Sequence, residues 1–327
     1  MRTCSYTLLR GENVDKAQEF INIFPDNMKT LWTEISKEAE FIEEVRIRIN
    51  NPLAVSIRGK EFFLTPEGGL TGNIKAARLV TGEEIDSILN HICKCSVYAF
   101  RDELREGYIT VPGGHRIGLA GEVVVNENGQ IVTIKYVTFM NIRIAHQIPG
   151  VADKVIPFLF EDGQLKNSLI ISPPGCGKTT MLRDIIRQLS KGTYKRRAYK
   201  VGVVDERNEI AGGFKGMPQN DLGPRTDVLS CLSKKQAMLM LIRSMSPEVL
   251  ALDEIGGKED IEAIKYAMKC GVNIIATIHA GGKEELLKKP QINEMLQEGG
   301  FERLIFMKKE NGDCVVSSKI TVAEIYD

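Results

Sequence analysis

Ser172-Pro-Pro-Gly-Cys-Gly-Lys-Thr-Thr180 lies between an apolar run, Leu169 to Ile171, and a segment in which Met181, Leu182, Ile185, Ile186 and Leu189 recur at helical spacing. A strand, a glycine-bearing loop ending in Lys-Thr and then a helix is the setting of a phosphate-binding loop. Successive backbone N–H groups and the positive end of the helix cradle phosphate oxygens there. Pro174, Gly175, Cys176, Gly177, Lys178, Thr179 and Thr180 are therefore the candidate nucleotide-binding residues. Lys178 reaches the β- and γ-phosphates, and the Thr179 hydroxyl is a ligand for Mg²⁺. In the pattern G-x-x-x-x-G-K-[ST] the first glycine is replaced by Ser172. That position only begins the turn, while Gly175 and Gly177 let the backbone approach the phosphate. A chance Gly-Lys-Thr at a helix start is the competing reading, and the flanking strand and helix argue against it. The stretch predicts binding of a nucleoside triphosphate, ATP with Mg²⁺.

At 327 residues the chain exceeds one ordinary core, and two domains are expected. A hydrophobic content of 43% and a charged content of 26% are globular values. Basic and acidic residues number 43 each, so no bulk field draws the chain to nucleic acid or acidic lipid. The seven cysteines are scattered, without a C-x-x-C pair, which fits a reducing compartment. With no apolar run near the roughly 18 residues of a membrane span and no signal core or acylation motif, the chain is expected to be cytoplasmic. Any membrane association would then need a partner protein.

The boundary is placed at Ile148-Pro-Gly-Val151, a linker-like stretch, which gives an α+β domain over 1–146 and an α/β domain over 147–327. In the first, residues 14–40 read as helical. Val45, Ile47 and Ile49 alternate with Arg46 and Arg48 as a half-buried strand, followed by strands at 53–58 and 61–65. Thr81-Gly-Glu-Glu84 is a capping box opening a helix with Ile85, Ile88, Leu89 and Ile92 on one face. Residues 108–145 read as further strands, turning at Pro112-Gly-Gly114 and Asn126-Glu-Asn-Gly129. The second domain alternates strand and helix, with core strands at 168–172, 200–205, 248–253 and 273–278 and a closing hairpin at 303–308 and 314–326, turning at Asn311-Gly312. Met238, Met240 and Met245 read as packing beneath that sheet.

Three strands of the second domain end in polar tips. Glu248-Val-Leu-Ala-Leu-Asp-Glu254 has the form of a Walker B strand. Asp253 is a candidate to hold Mg²⁺ through water, and Glu254 a candidate general base for an attacking water. Lys200-Val-Gly-Val-Val-Asp-Glu206 ends in a second acid pair, making Glu206 an alternative water-orienting group. Asn273-Ile-Ile-Ala-Thr-Ile-His-Ala280 places Thr277 and His279 where a sensor of the γ-phosphate would sit. In an open parallel sheet ligands bind at these carboxyl ends. Arg225, in Gly223-Pro-Arg-Thr-Asp227, suits either a phosphate or its neighbour Asp227.

In order along the chain, residues 172–180, Asp205-Glu-Arg-Asn-Glu-Ile-Ala211, Arg225-Thr-Asp-Val228, Ile242-Arg-Ser-Met-Ser-Pro247, Asp253-Glu-Ile-Gly256 and Ala276-Thr-Ile-His279 resemble a sporulation branch of the type II/IV secretion ATPase superfamily. Pro112-Gly-Gly-His-Arg-Ile-Gly-Leu-Ala120 and Asn141-Ile-Arg-Ile-Ala145 extend the resemblance into the first half. The Walker A loop, Asp box, Walker B strand and His box of that superfamily fall on 172–180, 205–209, 248–254 and 277–279. Ser172 and Ala280, where glycines are expected, depart from it without removing a phosphate or metal ligand. The resemblance implies a RecA-like P-loop NTPase domain and a homo-hexameric ring with nucleotide between protomers. It also implies arginines supplied to a neighbour's triphosphate, for which Arg116 and Arg143 are the candidates. The implied role is to energise a channel between mother cell and forespore. The ring would sit on the mother-cell side of the membrane and be held there by channel membrane proteins such as stage III sporulation protein AB.

Two other readings compete. A nucleic-acid motor would use Tyr194-Lys-Arg-Arg-Ala-Tyr-Lys200, which is basic with aromatic neighbours, although zero net charge favours a solvated loop. A nucleotide switch without hydrolysis would have no need of water-activating carboxylates at two strand tips. His91 and Cys95 share a helix face, but no second ligand cluster follows, so neither is assigned a metal.

Overall fold

A computed structural model describes residues 16–93, 107–129, 131–193, 196–230, 233–310 and 313–326. The chain divides into two compact units, Met1–His146 and Gln147–Asp327.

The first unit is built on an antiparallel sheet. Its strands are β1 (Ile42–Arg48), β2 (Ala54–Ile57), β3 (Lys60–Leu64), β4 (Leu70–Thr71), β5 (Tyr108–Thr110), β6 (Arg116–Val125) and β7 (Ile131–Arg143), in the order β4-β3-β2-β1-β7-β6-β5. Alternation along β1 buries Val45 and Ile47 completely and leaves Glu44, Arg46 and Arg48 on the other face. Instead of one long helix before β1 there are two short ones, α1 (Lys16–Ile21) and α2 (Lys29–Trp32), with 3-10 turns. Pro25 at the cap of the first 3-10 turn breaks the run. Phe24 stacks on Trp32 with ring centroids 4.1 Å apart, which fixes the bend. Helix α3 (Gly82–Cys93) begins at the Thr81–Glu84 capping box. Thr81 N donates to Glu84 Oε2 at 2.9 Å and Glu84 N to Thr81 Oγ1 at 3.3 Å.

The second unit is a seven-stranded sheet of order β12-β11-β13-β14-β10-β15-β16. Ahead of it β8 (Phe160–Glu161) and β9 (Gln164–Leu165) form a short antiparallel pair. In the sheet β10 is Ser168–Ser172, β11 Val201–Asp205, β12 Thr226–Ser230, β13 Val249–Leu252, β14 Asn273–His279, β15 Arg303–Glu310 and β16 Asp313–Thr321. The first six strands in that order run parallel and β16 is antiparallel at the edge. Every residue of β10, β11 and β13 is buried, because helices cover both faces. One face packs on α4 (Lys178–Lys191) through Met181, Leu182, Ile185, Ile186 and Leu189. The other packs on α5 (Lys234–Met245), α6 (Lys258–Lys269), α7 (Lys283–Leu287) and α8 (Pro290–Gln297). Each buried Ile or Leu in these layers contributes about 2 kcal/mol.

Several expectations are corrected. Strand β12 was not anticipated, since Thr226-Asp-Val-Leu-Ser230 carries no apolar run and lies half-buried at the sheet edge. Met238 is fully buried beneath the sheet, but Met240 and Met245 are 59% and 44% exposed and are not core. The closing hairpin ends at Thr321, and the remaining residues form α9 (Ala323–Tyr326). The turn Asn311-Gly312 lies outside the described residues, as does Cys95. His91 bonds through Nε2 to the carbonyl of Asn22 at 3.0 Å.

Candidate nucleotide site

The parallel register places Ser172 beside His279, so the loop after β10 and the tip of β14 share the carboxyl edge of the sheet. The loop turns into α4 through Gly175 and Gly177, at φ 70° and 72°, left-handed values that suit glycine. Gly177 is the N-cap of α4, so the loop delivers the positive end of a helix to this edge.

Six sequence-predicted residues converge there. Lys178 Nζ donates to His279 Nδ1 at 2.9 Å, and His279 Nε2 lies 2.7 Å from Glu254 Oε1. The ammonium has no acceptor lone pair, so Nδ1 accepts and Nε2–H donates to the carboxylate, which defines the imidazole tautomer. Thr179 Oγ1 donates to Asp253 Oδ2 at 2.9 Å. The buried Thr277 hydroxyl donates to the other oxygen, Asp253 Oδ1, while accepting the Glu254 N–H at 2.8 Å. Thr277 thus holds the two acids in place rather than facing open space.

Burial lowers the Lys178 ammonium from its ordinary value, against the pull of Asp253 and Glu254. Burial alone would raise the Glu254 carboxyl, but His279 and Arg207 outweigh it and hold it below the usual carboxylate range. Arg207 Nη1 lies 2.9 Å from Glu254 Oε2. Glu206 is engaged by Lys234 at 2.7 Å, and the same ammonium donates to the Glu254 carbonyl at 2.9 Å. Neither Arg207 nor Lys234 was singled out from sequence. The only signal was their position, in the acid box and at the start of α5.

Asp205 is a loop anchor. It accepts the N–H groups of Glu209, Ile210 and Ala211 at 2.9, 3.2 and 2.8 Å, and burial raises its carboxyl. Arg183, on α4, is buried and donates to the carbonyls of Ile210 and Glu209, tying the same loop to the helix.

The structure does not bring Arg225 to this edge. It precedes β12, at the opposite, amino end of the sheet, where Nη1 donates to the Ser190 carbonyl at 3.1 Å. Its assignment to phosphate within its own protomer is therefore corrected: it fastens the end of α4. In the first unit, register sets Arg116 of β6 opposite Arg143 of β7, on the sheet face away from the core. Arg116 stacks on Tyr108, 3.5 Å from the ring centroid. Of the basic patch, Tyr194 and Lys195 lie outside the described residues. Arg197 is paired with Glu248 and stacked on Tyr199, and Arg196 lies over Phe160, so these cations already have intramolecular partners.

The Thr179 hydroxyl and Asp253 carboxylate, already in contact, are a hard-oxygen pair of the kind Mg²⁺ takes when substrate phosphates and waters complete its shell. The carboxyl-edge cluster on a helix-flanked parallel sheet defines the second unit as a RecA-like P-loop NTPase domain.

The comparisons agree with that class. The ATPase DotB of Legionella pneumophila superposes with a TM-score of 0.58 at 15% identity, over 91% of this chain and 80% of that one. The pilus retraction motor PilT with bound ADP gives 0.57 at 16% identity, over 88% and 82%. At such identities the likeness is one of fold. The profile of the family described as Sporulation stage III, protein AA matches residues 14–324. Stage III sporulation protein AA of Bacillus subtilis (strain 168) is 39% identical over 310 residues, 94% of each chain. The chain belongs to the Sporulation stage III, protein AA family.

Proposed function

We propose that the chain is a Mg²⁺-dependent ATPase that works as a homo-hexameric, secretion-type motor energising a channel between mother cell and forespore. The observation that carries the reading is the Lys178–His279–Glu254 chain beside the Thr179–Asp253 pair at one sheet edge. Phosphoryl transfer needs positioning and charge neutralisation more than covalent chemistry. Lys178 exchanges the imidazole for phosphate oxygens on nucleotide binding. Thr179 and Asp253 would hold Mg²⁺, which would supply charge neutralisation at the phosphates. Glu254, kept ionised by His279 and Arg207, orients the attacking water, with Glu206 second in line. His279, released by Lys178, is left to report the γ-phosphate.

Arg116 and Arg143 are proposed to serve a neighbouring protomer's triphosphate. They lie side by side in register on one sheet face, with Glu44 of β1 across from Arg143. Among the described residues no helix is long and apolar enough to cross a membrane. The ring is accordingly proposed to sit on the mother-cell face through membrane proteins such as stage III sporulation protein AB. Sustained, Mg²⁺-dependent phosphate release over many turnovers tests the enzyme reading. A single stoichiometric burst would instead make the chain a nucleotide switch.

A further inference from the structure

Cys314 packs against the phosphate loop at the residues flanking Cys176. Cys176 is a loop residue, 3% exposed, while Cys314 lies on the edge strand β16 and is exposed. Cys314 Sγ donates at 3.6 Å to the carbonyl of Gly175, the residue just before Cys176, and Cys176 is near enough to help hold the Cys314 thiol above its ordinary value. The backbone is close as well: a Cβ placed on Gly177 would lie 3.3 Å from Cys314 Cβ. Two cysteines remote in sequence thus converge on the turn whose geometry sets the phosphate cradle.

We infer that Cys176 and Cys314 are a redox pair, which a hydroperoxide oxidises to a disulfide that pins the phosphate loop to β16 and weakens nucleotide binding. The consequence for nucleotide rests on the functional reading above; the thiol chemistry does not. Cys314, facing solvent, attacks the peroxide oxygen as its thiolate. The O–O bond breaks, giving a sulfenic acid on Cys314 and water or an alcohol. The Cys176 thiolate then attacks that sulfur, the S–S bond forms, the S–O bond breaks, and hydroxide leaves as water on protonation. Two electrons pass from the thiols to the peroxide, and a dithiol reductant returns them. Burial and the neighbouring Cys176 hold the Cys314 thiol above its ordinary value, so the pair answers sustained oxidant rather than traces. Bonded sulfurs stand about 2 Å apart, well inside the separation of thiols merely in contact. Closing that gap drags the loop toward β16, and a shift on the order of 1 Å is enough to spoil a phosphate cradle.

The test treats the full chain with hydrogen peroxide, alkylates the remaining thiols, maps peptides by mass, and titrates a fluorescent ADP analogue. The expected result is a cross-link between the Cys176 and Cys314 peptides with loss of two hydrogens. The analogue's Kd should rise about tenfold or more and recover with dithiothreitol. Cys314→Ser should show neither change. Absence of that cross-link, or a cross-link with unaltered affinity, overturns the inference. If the reduced chain binds no ADP analogue, the nucleotide reading fails, and the cross-link alone still decides the thiol pair.

Discussion

Glu254 holds a left-handed backbone, φ 50°, a conformation that costs a non-glycine residue about 1 kcal/mol. Its N–H is fixed by Thr277 Oγ1 and its carbonyl by Lys234, so the strain aims the carboxylate along the sheet edge. Thr277→Val keeps the shape but removes both hydrogen bonds that align Asp253 and Glu254. Turnover is expected to fall about 10- to 100-fold while the ADP affinity stays within about threefold, as read by steady-state kinetics beside equilibrium titration. Lys178→Ala removes the only cation of the loop 172–180, and calorimetry with Mg·ATP should then show no binding heat. The loop, the two acids and His279 were legible as residue types at strand tips. Thr277's part as a brace was not, because a hydroxyl's partner depends on which strands lie adjacent.

Helix α4 is fastened at its second turn by the adjacent Arg183 and Asp184 and at its end by Arg225 on Ser190, and these fastenings decide how firmly the loop is presented. Near its start, Arg183 donates to the carbonyls of Ile210 and Glu209. The next residue, Asp184, accepts the N–H groups of Gly150 and Ala152 at 3.0 and 2.9 Å and pairs with Arg187. Burial pushes the Asp184 carboxyl up, but these donors prevail and hold it below its ordinary value of 3.8. Its stabilisation is therefore fully present above pH 3.8 and is lost as pH falls through the lower folded value. Asp184→Ala leaves buried N–H groups unpaired and should cost about 3 kcal/mol, read as a shifted urea midpoint. The gap between Asp184→Asn and wild type should narrow as pH drops below 3.8. Element by element, the fully buried strands and amphipathic α4 were readable because continuous apolar runs and helical spacing are local signals. Edge strand β12 was not, since half-buried Thr and Asp carry no such signal. Arg225 suited either a phosphate or Asp227 from sequence, and only strand direction puts it at the amino end of the sheet.

At the scale of the whole molecule, the division into an antiparallel unit and a parallel one follows from patterning: strands alternating polar and apolar first, then strand and helix in turn. The pairing of Arg116 with Arg143 could not be foreseen, because antiparallel register is set by tertiary packing. If those arginines complete a neighbour's site, Arg143→Ala should bind ADP normally yet lose at least about 100-fold in turnover. Activity per protomer should also decline on dilution below the assembly concentration. Constant activity on dilution would refute a shared site. Hydrolysis underlies every one of these proposals, and it is tested most directly by timing phosphate release from Mg·ATP with wild type and Glu254→Gln side by side. The expected result is many turnovers for wild type and, at equal nucleotide affinity, a rate at least about 100-fold lower for the variant; equal rates would contradict the assignment of Glu254 and the motor reading built on it.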